Sequence, residues 1–241
     1  MTAVTEEWEG IKRILVILAH PDDPEFFCGA TIARWTSAGH ILSYCLFTSG
    51  DKGASDITIS AEEVAAAREV EQRAAAAVLG VKSVRFLHHP DGYLIPDLNL
   101  RKEVVRVIRQ ERPDILVTCD PLNVFPGEAG ISHPDHRAAG QIVVDAVFPA
   151  AGNAFFFPEL RVEEGLEPHS VKEVWMSVTG QPNVILDVTD FWDKKILALK
   201  EHRSQIGDPE KFAERMRSRR VQGNPDEPPR YEERFRRLKL G

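Results

Sequence analysis

Apolar and polar positions alternate along the chain in two rhythms. Residues 13–19 carry the unbroken run Ile14-Leu15-Val16-Ile17-Leu18, and residues 25–38 follow with the small and amphipathic pattern of a helix that ends at Gly39. Residues 41–48 repeat the strand rhythm, and the Ala- and Glu-rich residues 61–79, stopped by Gly80, form the clearest predicted helix. A short strand at 83–87, a helix at 98–112 ending before Pro113, a strand at 114–119 and a helix at 133–147 continue the series. Strands alternating with helices of this length predict βαβ units: an α/β, Rossmann-like fold whose mainly parallel sheet carries helices on both faces. After Pro149 the rhythm changes. Residues 173–179 and 183–188, joined by Gly180-Gln181-Pro182, predict a C-terminal antiparallel strand pair, followed by a helix at 189–202. With no internal repeat and no low-complexity linker, residues 1–241 are expected to form a single domain, with a core over about 13–205 and a charged helical tail at 206–241.

Composition narrows the class. The 241 residues are 43% hydrophobic and 28% charged, an ordinary globular balance. No apolar run approaches the roughly 20 residues of a membrane span. The acidic stretch around Glu6, Glu7 and Glu9 does not resemble a secretory leader. Cys28, Cys45 and Cys119 are odd in number and widely spaced, which points away from a disulfide framework and toward a reducing, cytoplasmic location. The net charge of −7 is uneven. Residues 208–241 hold ten Lys/Arg against seven Asp/Glu, leaving −10 for residues 1–207, so the body is a poor partner for nucleic acid.

The chemistry concentrates in one tripeptide. His-Pro-Asp occurs three times, as His20-Pro21-Asp22, His89-Pro90-Asp91 and His133-Pro134-Asp135, where random order at this composition predicts roughly 0.03 copies. Two copies directly follow predicted strands and the third follows strand 114–119 after a loop. All three can therefore converge at the carboxyl end of the sheet, where open α/β sheets bind ligands. Two copies extend into metal-like clusters: His20 and Asp23, and His133 and His136, each pair three residues apart and so able to share one face. The prolines suit first helical positions, so each cluster is expected to open a helix. Two imidazoles and a carboxylate with one open position is a common catalytic zinc arrangement. Plain structural uses compete, since Asp22 or Asp23 could cap a helix and His133 and His136 could sit on a turn. A carboxylate beside the metal can deprotonate bound water, a second histidine can stabilise an oxyanion, and an aspartate can orient that histidine. Together these are the parts needed to hydrolyse an amide.

These residues resemble the LmbE-like, or PIG-L, family of zinc-dependent de-N-acetylases. The resemblance rests on Ala19-His20-Pro21-Asp22-Asp23-Pro24-Glu25, on Thr48-Ser49-Gly50-Asp51-Lys52-Gly53, on Arg68 with Glu71, on Asp91-Gly92 and on His133-Pro134-Asp135-His136-Arg137. Lys200 and His202-Arg203-Ser204-Gln205 resemble the family's closing segment, so that the likeness covers about residues 13–205. It implies His20, Asp23 and His136 as zinc ligands and Asp22 as general base. It also implies His133 as electrophile or general acid oriented by Asp135, with Arg68 and Asp91 lining a sugar pocket. Arg68 could instead be an ion-pair partner of Glu71, and Asp91 could simply shape its turn. The implied partner is a small amino-sugar conjugate, and the implied assembly is a homo-oligomer. Departures are Gly29-Ala30 where the family often has a Gly pair, bulky Phe27 near the expected site mouth, and an apolar segment at 150–167 without a motif.

Other classes lose ground. His20-Pro21-Asp22-Asp23 occupies the place where a dinucleotide binder carries its glycines, and neither a P-loop nor a G-x-S-x-G motif occurs. The same ligands can hold iron(II), as in facial-triad oxygenases, although the βαβ rhythm does not suit those barrels. A non-catalytic sugar- or metal-binding protein would not require Asp22, His133 and Asp135 together.

Overall fold

A computed structural model describes residues 6–127, 130–221 and 226–240. It contains one seven-stranded sheet of order β3-β2-β1-β4-β5-β7-β6. The strands are β1 (Arg13–Leu18), β2 (Ile41–Thr48), β3 (Ser83–His89), β4 (Ile115–Cys119), β5 (Glu173–Ser177), β6 (Val184–Asp187) and β7 (Glu232–Lys239). The helices are α1 (Asp23–Ser37), α2 (Ala61–Leu79), α3 (Leu98–Glu111), α4 (Pro134–Asp145), α5 (Pro158–Val162), α6 (Trp192–Leu199), α7 (Arg203–Ile206) and α8 (Pro209–Arg217). Strands β3, β2, β1, β4 and β5 run parallel.

Period-two alternation builds the layers. Ile14, Val16 and Leu18 join one core with residues of α1, α2, α6 and α8, while Leu15 and Ile17 join a second core with residues of α3 and α4. Both faces of a parallel strand are thus buried, which is why its sequence reads as an unbroken apolar run. Local signals set the helix ends. Ser60 and Glu63 form a reciprocal capping box at the start of α2, and Gly80 at φ 79° closes it. Asp97 caps α3, and Arg112 ends it just before Pro113. Among the described residues, no helix is long and apolar enough to cross a membrane.

The C-terminal half departs from expectation in two ways. Strands β5 and β6 do not pair with each other; β7 lies between them, antiparallel to both, with Glu173 opposite Lys239 and Val184 opposite Phe235. The tail is therefore only partly helical, because α8 is followed by a strand within the sheet. Its alternation is hidden by charge. The buried positions of β7 are Glu233, Phe235 and Arg237, with Glu233 paired to Lys195 at 2.6 Å and Arg237 to Glu173 at 2.7 Å. Buried charges are accommodated only when paired, and these pairs join distant segments, so a local pattern does not reveal them.

The Lys195–Glu233 pair also repairs a break in α1. Cys28 leaves helical geometry at φ −148° and ψ 20°. Beyond the break, the Ala30 and Thr31 N–H groups donate to the two Glu233 oxygens at 3.2 and 2.8 Å. Lys195 Nζ donates to Phe26 O at 2.9 Å on the other side. One ion pair thus serves as N-cap and C-cap of the two half-helices, satisfying groups that burial would otherwise penalise.

Candidate active site

The three His-Pro-Asp triplets meet at the carboxyl end of the parallel strands. His20 is the hub, and it is 7% exposed. Its Nδ1 lies 3.2 Å from His136 Nε2 and 3.5 Å from an Asp23 oxygen, and the other Asp23 oxygen lies 3.0 Å from His136 Nε2. Its Nε2 faces Asp91 at 3.1 Å and Asp135 at 3.3 Å. The His133 ring stands edge-on to His20 with centroids 4.6 Å apart. Two groups of side chains that could hold a metal share this hub: His20, His133 and His136, and His20, Asp91 and Asp135.

The donor chemistry suits a divalent cation on the Nδ1 side. Ligands 2.0–2.1 Å from a tetrahedral zinc stand about 3.3–3.4 Å from one another. His20 Nδ1 and His136 Nε2 stand 3.2 Å apart, and Asp23 offers one oxygen to each of them, at 3.5 and 3.0 Å. With Nδ1 so placed, the Nε2 contacts to Asp91 and Asp135 match the outer carboxylates that orient a metal-binding imidazole. The surroundings also demand positive charge. Burial alone would lower the pKa of His20, but hydrogen bonds to Asp135, Asp23 and Asp91 push it up to about 12. Burial would raise the pKa of Asp23, yet His136 and His20 hold it far below the usual carboxylate range.

Asp22 belongs to the site without joining the triangle. Its backbone is left-handed, at φ 82° and ψ −26°, and its carboxylate lies 3.2 Å from Arg68 Nη2. Burial, and then the charge of Asp23, push its pKa up to about 7, where a general base works best near neutral pH. His133 is the N-cap of α4, its Nδ1 accepting the Asp135 backbone N–H at 3.2 Å. An accepting Nδ1 leaves the neutral ring protonated on Nε2, as a hydrogen-bond donor. Its pKa is lowered by burial and by the nearby His20 and His136.

Three of the expected site residues meet additional partners. The Asp135 carboxylate is fully buried and accepts from Gly92 N at 2.7 Å and Leu94 N at 3.2 Å besides facing His20. Its carboxylate thus contacts His20, whereas its backbone N–H is the group bonded to His133. Arg68 turns inward. It is 5% exposed and donates to Gly50 O at 3.0 Å and Pro21 O at 2.8 Å, whereas Glu71 bonds Ser204. Asp91 is 8% exposed and rests on His20, its backbone N–H bonded to Asp51 and its carbonyl to Lys52. Phe27 packs edge-on against the His136 ring at 5.1 Å, beside the cluster as its position suggested. His88 lies apart, on Ser49 and Glu69.

Residues 15–147, which include the whole cluster, match the model of the PIG-L, GlcNAc-PI de-N-acetylase, family. The chain belongs to the PIG-L family. It is 37% identical to the diacetylchitobiose deacetylase of Thermococcus kodakarensis, over 84% of this chain and 73% of that protein. It is 30% identical to a probable N-acetyl-alpha-D-glucosaminyl L-malate deacetylase 2 of Bacillus cereus, over 80% of this chain and 84% of that one. Among solved structures it is similar to an N,N'-diacetylchitobiose deacetylase from Pyrococcus horikoshii. That likeness has a TM-score of 0.83 at 32% identity and covers 95% of this chain and 84% of the other.

Within this PIG-L chain, a buried polar group centred on Gln72, which no local motif marks, stands behind Asp22. Gln72 accepts the Asp22 backbone N–H at 2.7 Å and donates to both Glu25 oxygens at 3.1 and 3.0 Å. His202 Nε2 lies 3.1 Å from Glu25, and all three residues are fully buried. Glu25 and His202 stand inside the motifs that carry the resemblance. Gln72 sits in an Ala/Glu-rich helix with no local sign that it faces inward.

Proposed function

We propose that this PIG-L protein is a metal-dependent hydrolase that removes the N-acetyl group, or a related N-acyl group, from a small amino-sugar conjugate. The observation that carries the reading is the His20–Asp23–His136 triangle with Asp22, in its left-handed turn, directly beside it. The named relatives, deacetylases of acetylated amino sugars, support the substrate class. His20, Asp23 and His136 hold the metal, with zinc the ion their nitrogen and oxygen donors suit. When bound, such an ion polarises the amide carbonyl and acidifies water in the site. Asp22 takes the proton from the attacking water. His133 donates a hydrogen bond from Nε2 to the developing oxyanion, and the proton held by Asp22 passes to the leaving nitrogen before the amine departs. Asp91 and Asp135 hold His20 in register, and Arg68 supports Asp22 from behind.

The chain acts as one domain, with β7 integral to it. The exposed Phe148 and Phe155 support a homo-oligomer, and three free, buried cysteines support a cytoplasmic location. The test is release of free amine from N-acetylglucosamine, its β-linked disaccharide and a panel of glycosides, with metal content measured alongside. Turnover that requires a tightly held divalent ion and is lost in Asp22→Asn at unchanged metal content supports the reading. A purified protein that binds no divalent metal overturns it.

A further inference from the structure

One helix holds both edges of a single peptide group in the catalytic turn. Arg68 Nη2 donates to Pro21 O at 2.8 Å, and Gln72 Oε1 accepts the Asp22 N–H at 2.7 Å. These atoms belong to the same Pro21–Asp22 peptide, and the two side chains are four residues apart on α2, one turn along the same face. The Gln72 amide has only one workable orientation. Its NH2 donates to both oxygens of buried Glu25, so its oxygen must face Asp22. His202, from the far end of the chain, braces Glu25 in turn.

The clamp answers a geometric problem. Asp22 and Asp23 are adjacent, yet Asp23 must reach His20 and His136 while Asp22 must stay clear of them. At Asp22 the backbone is left-handed, at φ 82°. A non-glycine residue holds that conformation only where its surroundings over-determine it. We propose that Gln72 is a positioning residue: with Arg68 it clamps the Pro21–Asp22 peptide and thereby aims the Asp22 carboxylate, while Glu25 and His202 lock the Gln72 amide. The proposal rests on the reading of Asp22 as general base. Among the described residues the side-chain hydrogen bonds of Gln72 go to Asp22 and Glu25, so the direct route from Gln72 to turnover runs through the direction of Asp22.

The experiment is a double-mutant cycle on the full-length, metal-loaded protein, using Gln72→Met and Arg68→Lys, each alone and combined with Asp22→Asn. Expected is a 10- to 100-fold fall in kcat for Gln72→Met at unchanged KM and metal content, about the cost of roughly 1 Å of misplacement. Arg68→Lys, which weakens the other end of the clamp, should give the same signature. In the Asp22→Asn background either substitution should change kcat less than twofold, because the group it aims is already gone. Equal losses in both backgrounds would mean general structural damage and overturn the proposal. A Gln72→Met enzyme with kcat within twofold of wild type overturns it as well. A crystal structure of Gln72→Met decides independently of activity. Asp22 should leave φ near 82° and its carboxylate should separate from Arg68; an unmoved Asp22 refutes the clamp. A failure of the functional reading looks different, since Asp22→Asn would then turn over as wild type does while the crystallographic result stood.

Discussion

Two copies of one tripeptide do opposite work at the ends of neighbouring parallel strands. After β1, His20-Pro21-Asp22 directs the histidine into the cluster, while its aspartate is held at φ 82° beside Arg68. After β4, His133-Pro134-Asp135 reverses the parts. The histidine is a partly exposed helix cap, and the aspartate is buried beneath His20. Composition cannot explain the difference. The first turn is clamped from outside by α2, whereas the second relaxes into the start of α4, where an N-cap is expected. A motif therefore names a set of functional groups, and the backbone conformation around it decides which group faces the chemistry.

The largest expected contrast is catalytic. Asp22→Asn should lower kcat by about 10²–10⁴ while metal content stays at the wild-type level. A comparable loss in Asp135→Asn at full metal occupancy would erase the distinction between the two triplets. Next, on the proposed reading Asp135 orients His20 and is not itself a ligand, so Asp135→Ala should weaken metal binding by roughly 10–100-fold. Titration with a competing chelator reads this directly, and an unchanged affinity would remove Asp135 from the support of His20. His133→Ala should lower kcat by about 10²-fold or more with metal affinity nearly unchanged, and steady-state kinetics beside metal analysis checks both. The smallest contrast concerns stability, and its sign differs between the two sites. At position 22 glycine should be more stable than alanine by about 1–2 kcal/mol, since only glycine accepts a positive φ freely. At position 135, inside the first turn of α4, alanine should exceed glycine by about 0.5–1 kcal/mol. Denaturant unfolding of the four variants measures both differences, and the same sign at both sites would mean that the Asp22 turn is unstrained.

Much of this was legible in the residues, for reasons that also mark the limits. Strands β1, β2 and β4 are buried on both faces, so their apolar runs announce a parallel sheet. The triplets sit at strand ends, where such sheets place their sites. Strand β7 was not legible, because Glu233 and Arg237 face inward and their partners Lys195 and Glu173 lie far away in sequence. Gln72 was hidden for a similar reason: its neighbours on α2 are alanines and charged residues, and only the packing of α2 against α1 turns it toward Glu25. Arg68 was found, but not the direction of its side chain. Local pattern reveals which groups a chain carries; long-range pairing decides where the polar ones point.

The repair of α1 by Glu233 also has a consequence in time. Thr31 and the carboxylate that caps it are 202 positions apart. At roughly 5–20 residues per second of synthesis, Glu233 is polymerised some 10–40 s after Thr31. Once His136 has been added, a nascent chain contains every residue of the His20–Asp23–His136 cluster, while α1 still lacks its central cap until Glu233 follows 97 residues later. Helix α1 is thus completed long after its own residues are made, and a ribosome that stalls between His136 and Glu233 leaves a chain with its candidate catalytic residues and an unfinished helix beneath them.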